Sequence, residues 1–337
     1  MTGCTAATGL VFVDKPAQNR KSLGDLMRRP LLCLFFLVTT LTALVPTGQV
    51  SAQLFIPESE SITTLVDDAT RLDQTSASTR FSALLALLDE RDLAYEIQTF
   101  RNHRAEETAP VDGRNVSVTI GSGEREIIVG AHADAARLRD GSLSHAMIDN
   151  AAAVAVLVRV AKTLQQYKLR HRVRVMFFDL EELNRLGSRH FVKTVYRNSI
   201  TGMINLDIVG YGDTLIYGPA TNAGNEELYA TIRQTCAHTA THCLEFPQFP
   251  PSDDRSFQDA GIPNISLATL PRLEAHQLWL MLNSGSASSG LDSNFVPAIL
   301  QTIHTPGDTI EKLDPAGMTL AYNIVMGAVL ELDRIAR

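Results

Sequence analysis

Acidic and histidine side chains follow each of the three most apolar strand-like stretches of this 337-residue chain. The stretches EIIVGA, VMFFD and GMIN are each followed within three residues by such side chains. In open α/β sheets, ligands bind beyond the carboxyl ends of the strands, so we expect these side chains to line one crevice. The side chains are those of His132, Asp134, Glu181, Glu182 and Asp207.

The four carboxylates of this crevice would disfavour one another's charge. Without a cation such crowding returns protons to several of them, and a divalent metal cluster is the simplest way to keep them ionised. Two more donors complete the set: Asp149 at the start of a helix predicted over 150–165, and His304 in a turn before the last helix. Imidazole and carboxylate ligands without a free thiolate suit zinc best, with manganese or cobalt as alternatives. We expect Asp149 to cap its helix while it points into the crevice.

Two metal ions can share this set if one carboxylate bridges them. Glu181 then stays unligated beside a metal-bound water molecule, as a general base requires. Asp134, two residues after His132, is placed to accept the other ring N–H of that histidine and to orient it. The predicted metal ligands are His132, Asp149, Glu182, Asp207 and His304.

Strands and helices must alternate to position these residues. Apolar positions at helical spacing predict two helices over 60–90 and a last helix over about 315–335. Near-continuous apolar strands between helices indicate an α/β fold, with a mixed, largely parallel central sheet covered by helices on both faces. We predict a single domain over 53–337. The predicted strands are 95–100, 116–120, 126–131, 173–178, 202–209, 214–217 and 264–268.

The main irregular segment spans 271–296 and contains the sequence NSGSASSG, which predicts a surface loop. This segment could shape a side-chain pocket, because Leu278, Trp279, Leu280 and Met281 offer apolar surface. Equally, these four residues could form a small helix packed on the core.

Composition and charge exclude several other classes of protein. Hydrophobic residues make up 45% and charged residues 20% of the chain, which excludes wholesale disorder and collagen-like structure. With 30 basic and 37 acidic side chains, the chain has no basic excess to suggest a nucleic-acid partner. We predict a soluble protein with an acidic surface, and the sequence indicates no particular oligomeric state.

Residues 1–52 have the layout of a leader that is removed. An uncharged apolar block of fifteen residues, LLCLFFLVTTLTALV, follows two arginines and precedes small residues at which a signal peptidase would cut. The block is shorter than the ~20 residues that a helix needs to cross a bilayer. We predict a mis-started stretch, then a secretory signal peptide over 27–52, with a membrane anchor as the alternative. The mature protein would be exported to the periplasm or the medium, with no stable membrane anchor.

Only Cys236 and Cys243 remain in the predicted mature chain. Two cysteines seven residues apart in an exported protein favour a disulfide. His238 and His242 lie between them, so a zinc knot is the alternative, although the spacing fits no common structural zinc pattern.

The ordered motifs resemble those of the zinc-dependent aminopeptidases of the M28 peptidase family, over roughly residues 90–335. The series H-x-D, D-N, E-E, N-x-D and a late histidine is specific. The stretches that carry the resemblance are GAHAD at 130–134, AMIDNAA at 146–152, MFFDLEELNRLGS at 176–188, INLDIVG at 204–210, SDDRSF at 252–257 and HTPGDT at 304–309.

This resemblance implies a zinc-exopeptidase fold and a co-catalytic pair of zinc ions. It implies that Asp149 bridges the ions while the other four ligands are terminal, that Glu181 is the base, and that Asp134 supports His132. The implied activity is hydrolysis of the N-terminal peptide bond of peptides with a free N-terminus. The chain departs from the family at Ala146, where relatives usually have glycine.

Three alternatives stay open. Glutaminyl cyclases share the fold and much of the motif set but use one zinc ion, and a tryptophan precedes their late histidine where this chain has Ile303. A carboxypeptidase or dipeptidase of the same family would need cationic groups for a terminal carboxylate, and no Arg or Lys cluster stands beside the motifs. A non-catalytic binding module is the third alternative, and the complete ligand set together with Glu181 counts against it.

Overall fold

The architecture comes from a computed structural model. The predicted leader and signal peptide lie outside the described residues, and so does the predicted domain boundary at residue 53. The structure describes residues 62–102, 111–220, 224–284, 289–292 and 294–336.

Eight strands form one mixed sheet, in the order β1-β2-β4-β3-β5-β8-β6-β7. The strands are β1 (Tyr95–Asn102), β2 (Val111–Ile120), β3 (Glu126–His132), β4 (Arg172–Phe178), β5 (Ile200–Leu206), β6 (Thr214–Gly218), β7 (Cys243–Glu245) and β8 (Asn264–Leu270). The central strands β4, β3, β5 and β8 are parallel, whereas β1 and β2 are joined antiparallel at one edge. At the other edge, β6 is antiparallel to β8 and parallel to β7. The predicted mixed, largely parallel sheet is confirmed.

Helices cover both faces of this sheet. They are α1 (Ile62–Thr70), α2 (Ala77–Glu90), α3 (Ala152–Leu164), α4 (Leu186–Thr194), α5 (Glu226–His238), α6 (Asp254–Asp259), α7 (Arg272–Asn283), α8 (Ala298–Thr302) and α9 (Pro315–Ile335). Helices α1, α3, α5 and α9 pack on one face, and α4 and α6 pack together on the other. Helix α9 is long and apolar enough to cross a membrane, but 67% of its most apolar stretch is buried in the core.

Complete burial explains the apolar sequences at the centre of the fold. Every residue of β3 and of β5 is buried, because helices lie on both faces of the sheet. Every residue of α3 except Lys162 is buried as well. Since β3, β4 and β5 are parallel neighbours, the residues that follow them meet at one edge of the sheet.

Helix α7 corrects the prediction of a surface loop over 271–296. The loop prediction is wrong for Arg272–Asn283, and the alternative of a helix packed on the core is confirmed. Leu278 is buried, and the indole N–H of Trp279 donates to the carbonyl oxygen of Glu245 at 3.0 Å. Helices α4, α5, α6 and α8 and strand β7 were not predicted.

A disulfide joins Cys236 in α5 to Cys243 in β7. The predicted disulfide is confirmed, and the alternative zinc knot is wrong because both thiols are used in the bond. The bond ties α5 to the edge strand of the sheet, which β6 alone pairs with among the described strands.

Candidate active site

His132 is the last residue of β3 and lies at the carboxyl end of the sheet, with 1% of its side chain exposed. Its Nε2 lies 2.9 Å from Oδ1 of Asp149 and 3.5 Å from Oδ1 of Asp207. Asp207 directly follows β5, the neighbour of β3 in the sheet. These three side chains form a cluster that we name the first donor group.

Asp149 lies in a single π-helical turn, Met147–Ala151, ahead of α3. Its φ and ψ of −123° and 78° are not helical, and α3 begins only at Ala152, so the expected role as a cap of that helix is wrong. Instead, the carboxylate points between two histidines. Its Oδ1 faces His132, and its Oδ2 lies 3.1 Å from Nε2 of His304.

Glu182 and His304 approach Asp149 from the other side. Glu182 lies on the loop after β4, and its Oε2 is 3.1 Å from Nε2 of His304. His304 follows α8 in a left-handed conformation, with a φ of 56°, and 55% of its side chain is exposed. We name the cluster of Asp149, Glu182 and His304 the second donor group.

The two donor groups share Asp149, and their geometry fits two metal ions bridged by one carboxylate. Within each group, one nitrogen or carboxylate oxygen from every residue lies within 4.8 Å of the others. One carboxylate oxygen of Glu182 and one of Asp207 are buried without a hydrogen-bond partner in the described structure. Buried polar atoms are rarely left unpaired, so these oxygens indicate a cation. Nitrogen and carboxylate donors without thiolate suit zinc.

The imidazoles and carboxylates hold opposite charges when no metal is bound. Burial lowers the pKa of His132, but the three aspartates that face it outweigh this effect and raise its pKa well above the ordinary value. Hydrogen bonds to Asp149 and Glu182 raise the pKa of His304 to about 10. Burial raises the pKa of Asp149, but the two histidines outweigh burial and lower it below its usual range.

Glu181 belongs to neither donor group and lines the cavity beside them. Burial raises the pKa of Glu181 to about 9, and His132 only partly opposes this while Asp253 adds to it. Asp253 is fully buried, neither of its oxygens has a hydrogen-bond partner among the residues that the structure describes, and burial raises its pKa to about 7. A cationic centre beside these carboxyl groups would lower the pKa of both and return Glu181 to its basic form.

Asp134 contacts the glutamate pair more closely than it contacts His132. Its two oxygens accept the backbone N–H groups of Glu181 at 3.1 Å and Glu182 at 3.2 Å. Its Oδ1 lies 3.4 Å from Nδ1 of His132, and that nitrogen forms no hydrogen bond in the described structure. Asp134 thus faces His132 at this distance, and through its own hydrogen bonds it positions the loop after β4.

Two residues for which the sequence predicted no role hydrogen-bond to the backbone of the loops that carry the donor groups. Asp308, in the HTPGDT motif, is buried and accepts the backbone N–H groups of Ile148 at 2.7 Å and Asp149 at 3.1 Å. Arg80, in α2, is buried and donates to the backbone carbonyls of Ala133 and Ala146, in the loops that carry His132 and Asp149. The sequence signal for Arg80 was its place in the buried stripe of α2, one turn before Leu84.

An apolar cavity of about 130 Å³ opens beside the donor groups. Its charged and histidine side chains lie at one end, and its described lining contains no arginine or lysine. The lining includes Asp149, Glu181, Asp207 and His304 at the polar end, and Ile208, Ile216, Ala268, Leu270, Leu278 and Ile303 on the apolar wall.

Curated relatives of the chain are aminopeptidases. Aminopeptidase YwaD of Bacillus subtilis (strain 168) is 24% identical over 214 residues, covering 61% of this chain and 40% of that protein. Leucine aminopeptidase 2 of Trichophyton rubrum is 25% identical over 225 residues, covering 62% of this chain and 42% of that protein. The chain thus spans about two-fifths of the length of these relatives.

Solved structures share the fold. A zinc aminopeptidase from Bacillus subtilis superposes with a TM-score of 0.62 at 14% identity, over 81% of this chain and 95% of that one. A glutaminyl cyclase from Porphyromonas gingivalis superposes with a TM-score of 0.61 at 19% identity, over the same shares of 81% and 95%. The model of peptidase family M28 matches residues 115–329, well over half of the sequence. The chain therefore belongs to peptidase family M28.

Proposed function

We propose that this protein is a zinc-dependent aminopeptidase that binds two metal ions. The observation that carries the proposal is Asp149, whose two carboxylate oxygens face the two donor groups separately. His132 and Asp207 would hold one ion, and Glu182 and His304 the other. The aminopeptidases among the curated relatives support this assignment.

Each residue around the donor groups has a distinct role in the proposed hydrolysis of a peptide. When bound, zinc supplies Lewis-acid polarisation of the scissile carbonyl and lowers the pKa of a water molecule. Glu181 is the free carboxylate at the cavity and takes the proton from the attacking water, then delivers it to the leaving amine. Asp134 holds the backbone of Glu181 and Glu182 in place for this transfer.

The cavity indicates which end of a peptide it accepts. Its polar end is acidic, with three carboxylates, so it suits the positive charge of a free α-amine. Its apolar wall suits an uncharged side chain on the first residue, and the lack of a lining arginine or lysine disfavours a terminal carboxylate. We therefore propose peptides with a free N-terminus and an apolar first residue as substrates, rather than carboxypeptidase substrates.

Glutaminyl cyclisation is the second candidate, since the fold is shared with glutaminyl cyclases. A single-zinc cyclase would leave one of the two donor groups without a metal. Ile303 lines the cavity where the cyclases that this sequence resembles have a tryptophan. Both observations favour hydrolysis.

Mass spectrometry of the products separates the two reactions. The zinc-loaded protein is incubated with leucine p-nitroanilide, its N-acetylated form and a peptide that begins with glutamine. We expect release of leucine from the free amine only. Loss of ammonia from the glutaminyl peptide, without hydrolysis of the leucine substrate, would establish a cyclase instead.

Export to the periplasm or the medium is also our proposal. The disulfide supports it, because disulfides persist in oxidising compartments. N-terminal sequencing of the protein recovered outside the cytoplasm, with an expected start near residue 53, would test it.

A further inference from the structure

Arg80 is a buried cation whose hydrogen bonds, within the described part of the chain, all go to backbone carbonyls. It lies in α2, and 2% of the residue is exposed. Its Nε donates to the carbonyl oxygen of Ala133 at 2.7 Å, and its Nη1 to that of Leu72 at 2.6 Å. The guanidinium also donates to the carbonyl oxygens of His145 and Ala146, each at 3.4 Å.

Three of these four carbonyls, those of Ala133, His145 and Ala146, belong to the loops that carry His132 and Asp149. Ala133 directly follows His132, and Ala146 lies three residues before Asp149. One planar guanidinium therefore connects both loops, and its fork of donors is fixed in geometry. The contact between Nε2 of His132 and Oδ1 of Asp149 spans 2.9 Å between these loops.

Ala146 needs such a support. Its φ of 50° lies in the left-handed region, which is unfavourable for an alanine. Strained residues of this kind persist only where their surroundings hold them. The backbone N–H of Ala146 donates to Oγ of Ser144 at 3.2 Å, and its carbonyl accepts from Arg80 at 3.4 Å.

The carboxylates of the site also stabilise the positive charge of Arg80. No ion pair joins it to a carboxylate among the described residues, so its burial would be costly without a negative potential nearby. Burial lowers the pKa of the guanidinium, and the carboxylates of Asp134, Asp149 and Asp308 oppose that effect. The acidic site thus stabilises the cation that supports it.

We propose that Arg80 is a positioning residue that sets the distance between the His132 loop and the Asp149 loop, and through it the affinity of the site for zinc. This inference rests on the proposed function in one respect, that the donor groups bind zinc. Arg80 lies before residues 115–329, which the family model matches, so helix α2 adds to the site from outside the matched region.

Zinc affinity of Arg80→Met tests the proposal, measured on the full chain by competition with a chromophoric chelator. Methionine has a similar length but no donor. The matched control is Arg159→Met, which removes another buried arginine, one in α3 that donates to Thr64 in α1. Zinc affinity is compared between variants that are folded without zinc, where a loss of stability alone leaves it unchanged.

We expect Arg80→Met to weaken zinc binding about 10- to 100-fold, the usual effect of losing a group that orients metal ligands. Arg159→Met should change the affinity less than about threefold, and Arg80→Lys should lie between the wild type and Arg80→Met. The d–d spectrum of the cobalt-substituted protein should shift in the Arg80 variants and stay unchanged in Arg159→Met.

Wild-type affinity in Arg80→Met would overturn the proposal. If Arg80→Met does not fold, the zinc affinity of Arg80→Lys is measured instead, and wild-type affinity in that variant would overturn the proposal. If neither Arg80 variant folds while Arg159→Met does, Arg80 is a folding element and the proposal is wrong. A wild-type protein that binds no zinc would instead overturn the proposed function.

Discussion

Asp149 is the residue on which both donor groups depend, because each of its oxygens faces a different histidine. Asparagine keeps the shape of this side chain but removes its charge and one of its two acceptors. We expect Asp149→Asn to weaken zinc binding more than about 100-fold, beyond the loss seen when only an orienting group is removed. Asp140→Asn, at an exposed turn, is the control. Zinc titration with near wild-type affinity in Asp149→Asn would contradict the bridging role.

His304 makes zinc binding depend on pH. Hydrogen bonds to Asp149 and Glu182 raise its pKa to about 10 in the metal-free protein, so the ring carries a proton at neutral pH. Zinc binds only the neutral ring, so binding must release this proton. The apparent affinity should therefore rise with pH, about tenfold per unit for each imidazole proton released, with the contribution of His304 lasting up to about pH 10. Chelator competition at pH 6, 7, 8 and 9 measures this, and an affinity independent of pH would be inconsistent with it.

Asp134 and Asp308, the carboxylates beside the donor groups, show which residue roles the sequence could and could not predict. The predicted ligand residues include every member of both donor groups. His132, Glu182 and Asp207 lie at or after strand ends, whereas Asp149 precedes α3 and His304 follows α8. The partners of Asp134 and Asp308 were not predictable, since they are backbone N–H groups brought close by tertiary folding. Arg80 stands 52 residues before His132, and only its place in an apolar stripe marked it.

Among the helices and strands, those whose residues are almost all buried were predicted correctly from the sequence. Strands β3 and β5 are apolar throughout because both of their faces are covered, so their sequences identify them. Helix α7 has exposed and buried residues in close succession, and the serine- and glycine-rich stretch after it suggested a longer loop. Helix α6 has only six residues, too few to show a helical period.

The disulfide links one helix to one strand, and we expect it to affect the stability of the fold but not the zinc affinity. It closes a short loop between α5 and β7, at the sheet edge, and the chain-entropy estimate for such a loop is about 2 kcal/mol. The double variant Cys236→Ala, Cys243→Ala should lower the free energy of unfolding in urea by about that amount. The zinc affinity of the double variant should match that of the wild type. A large loss of affinity would contradict this prediction, because it would mean that the disulfide also affects the zinc site.

On the scale of the whole molecule, metal and fold are coupled. The site gathers carboxylates that repel one another unless a cation is bound, so the metal-free protein carries an electrostatic cost. Zinc at 100 times its dissociation constant stabilises the folded state by about 2.7 kcal/mol per site. We expect chelation to lower the melting temperature and zinc to restore it, as followed by calorimetry. Equal melting temperatures with and without zinc would mean that the donor groups do not hold the metal.

Hydrolysis of leucine p-nitroanilide by the zinc-loaded protein tests the central claim most directly, with Glu181→Gln beside it. Glu181 is outside both donor groups, so the variant should bind zinc as the wild type does. We expect cleavage by the wild type that chelation abolishes and zinc restores, and a loss of about 10²- to 10⁴-fold in the variant. A zinc-loaded wild type that cleaves no substrate with a free N-terminus, or a Glu181→Gln variant with full activity, would contradict the account.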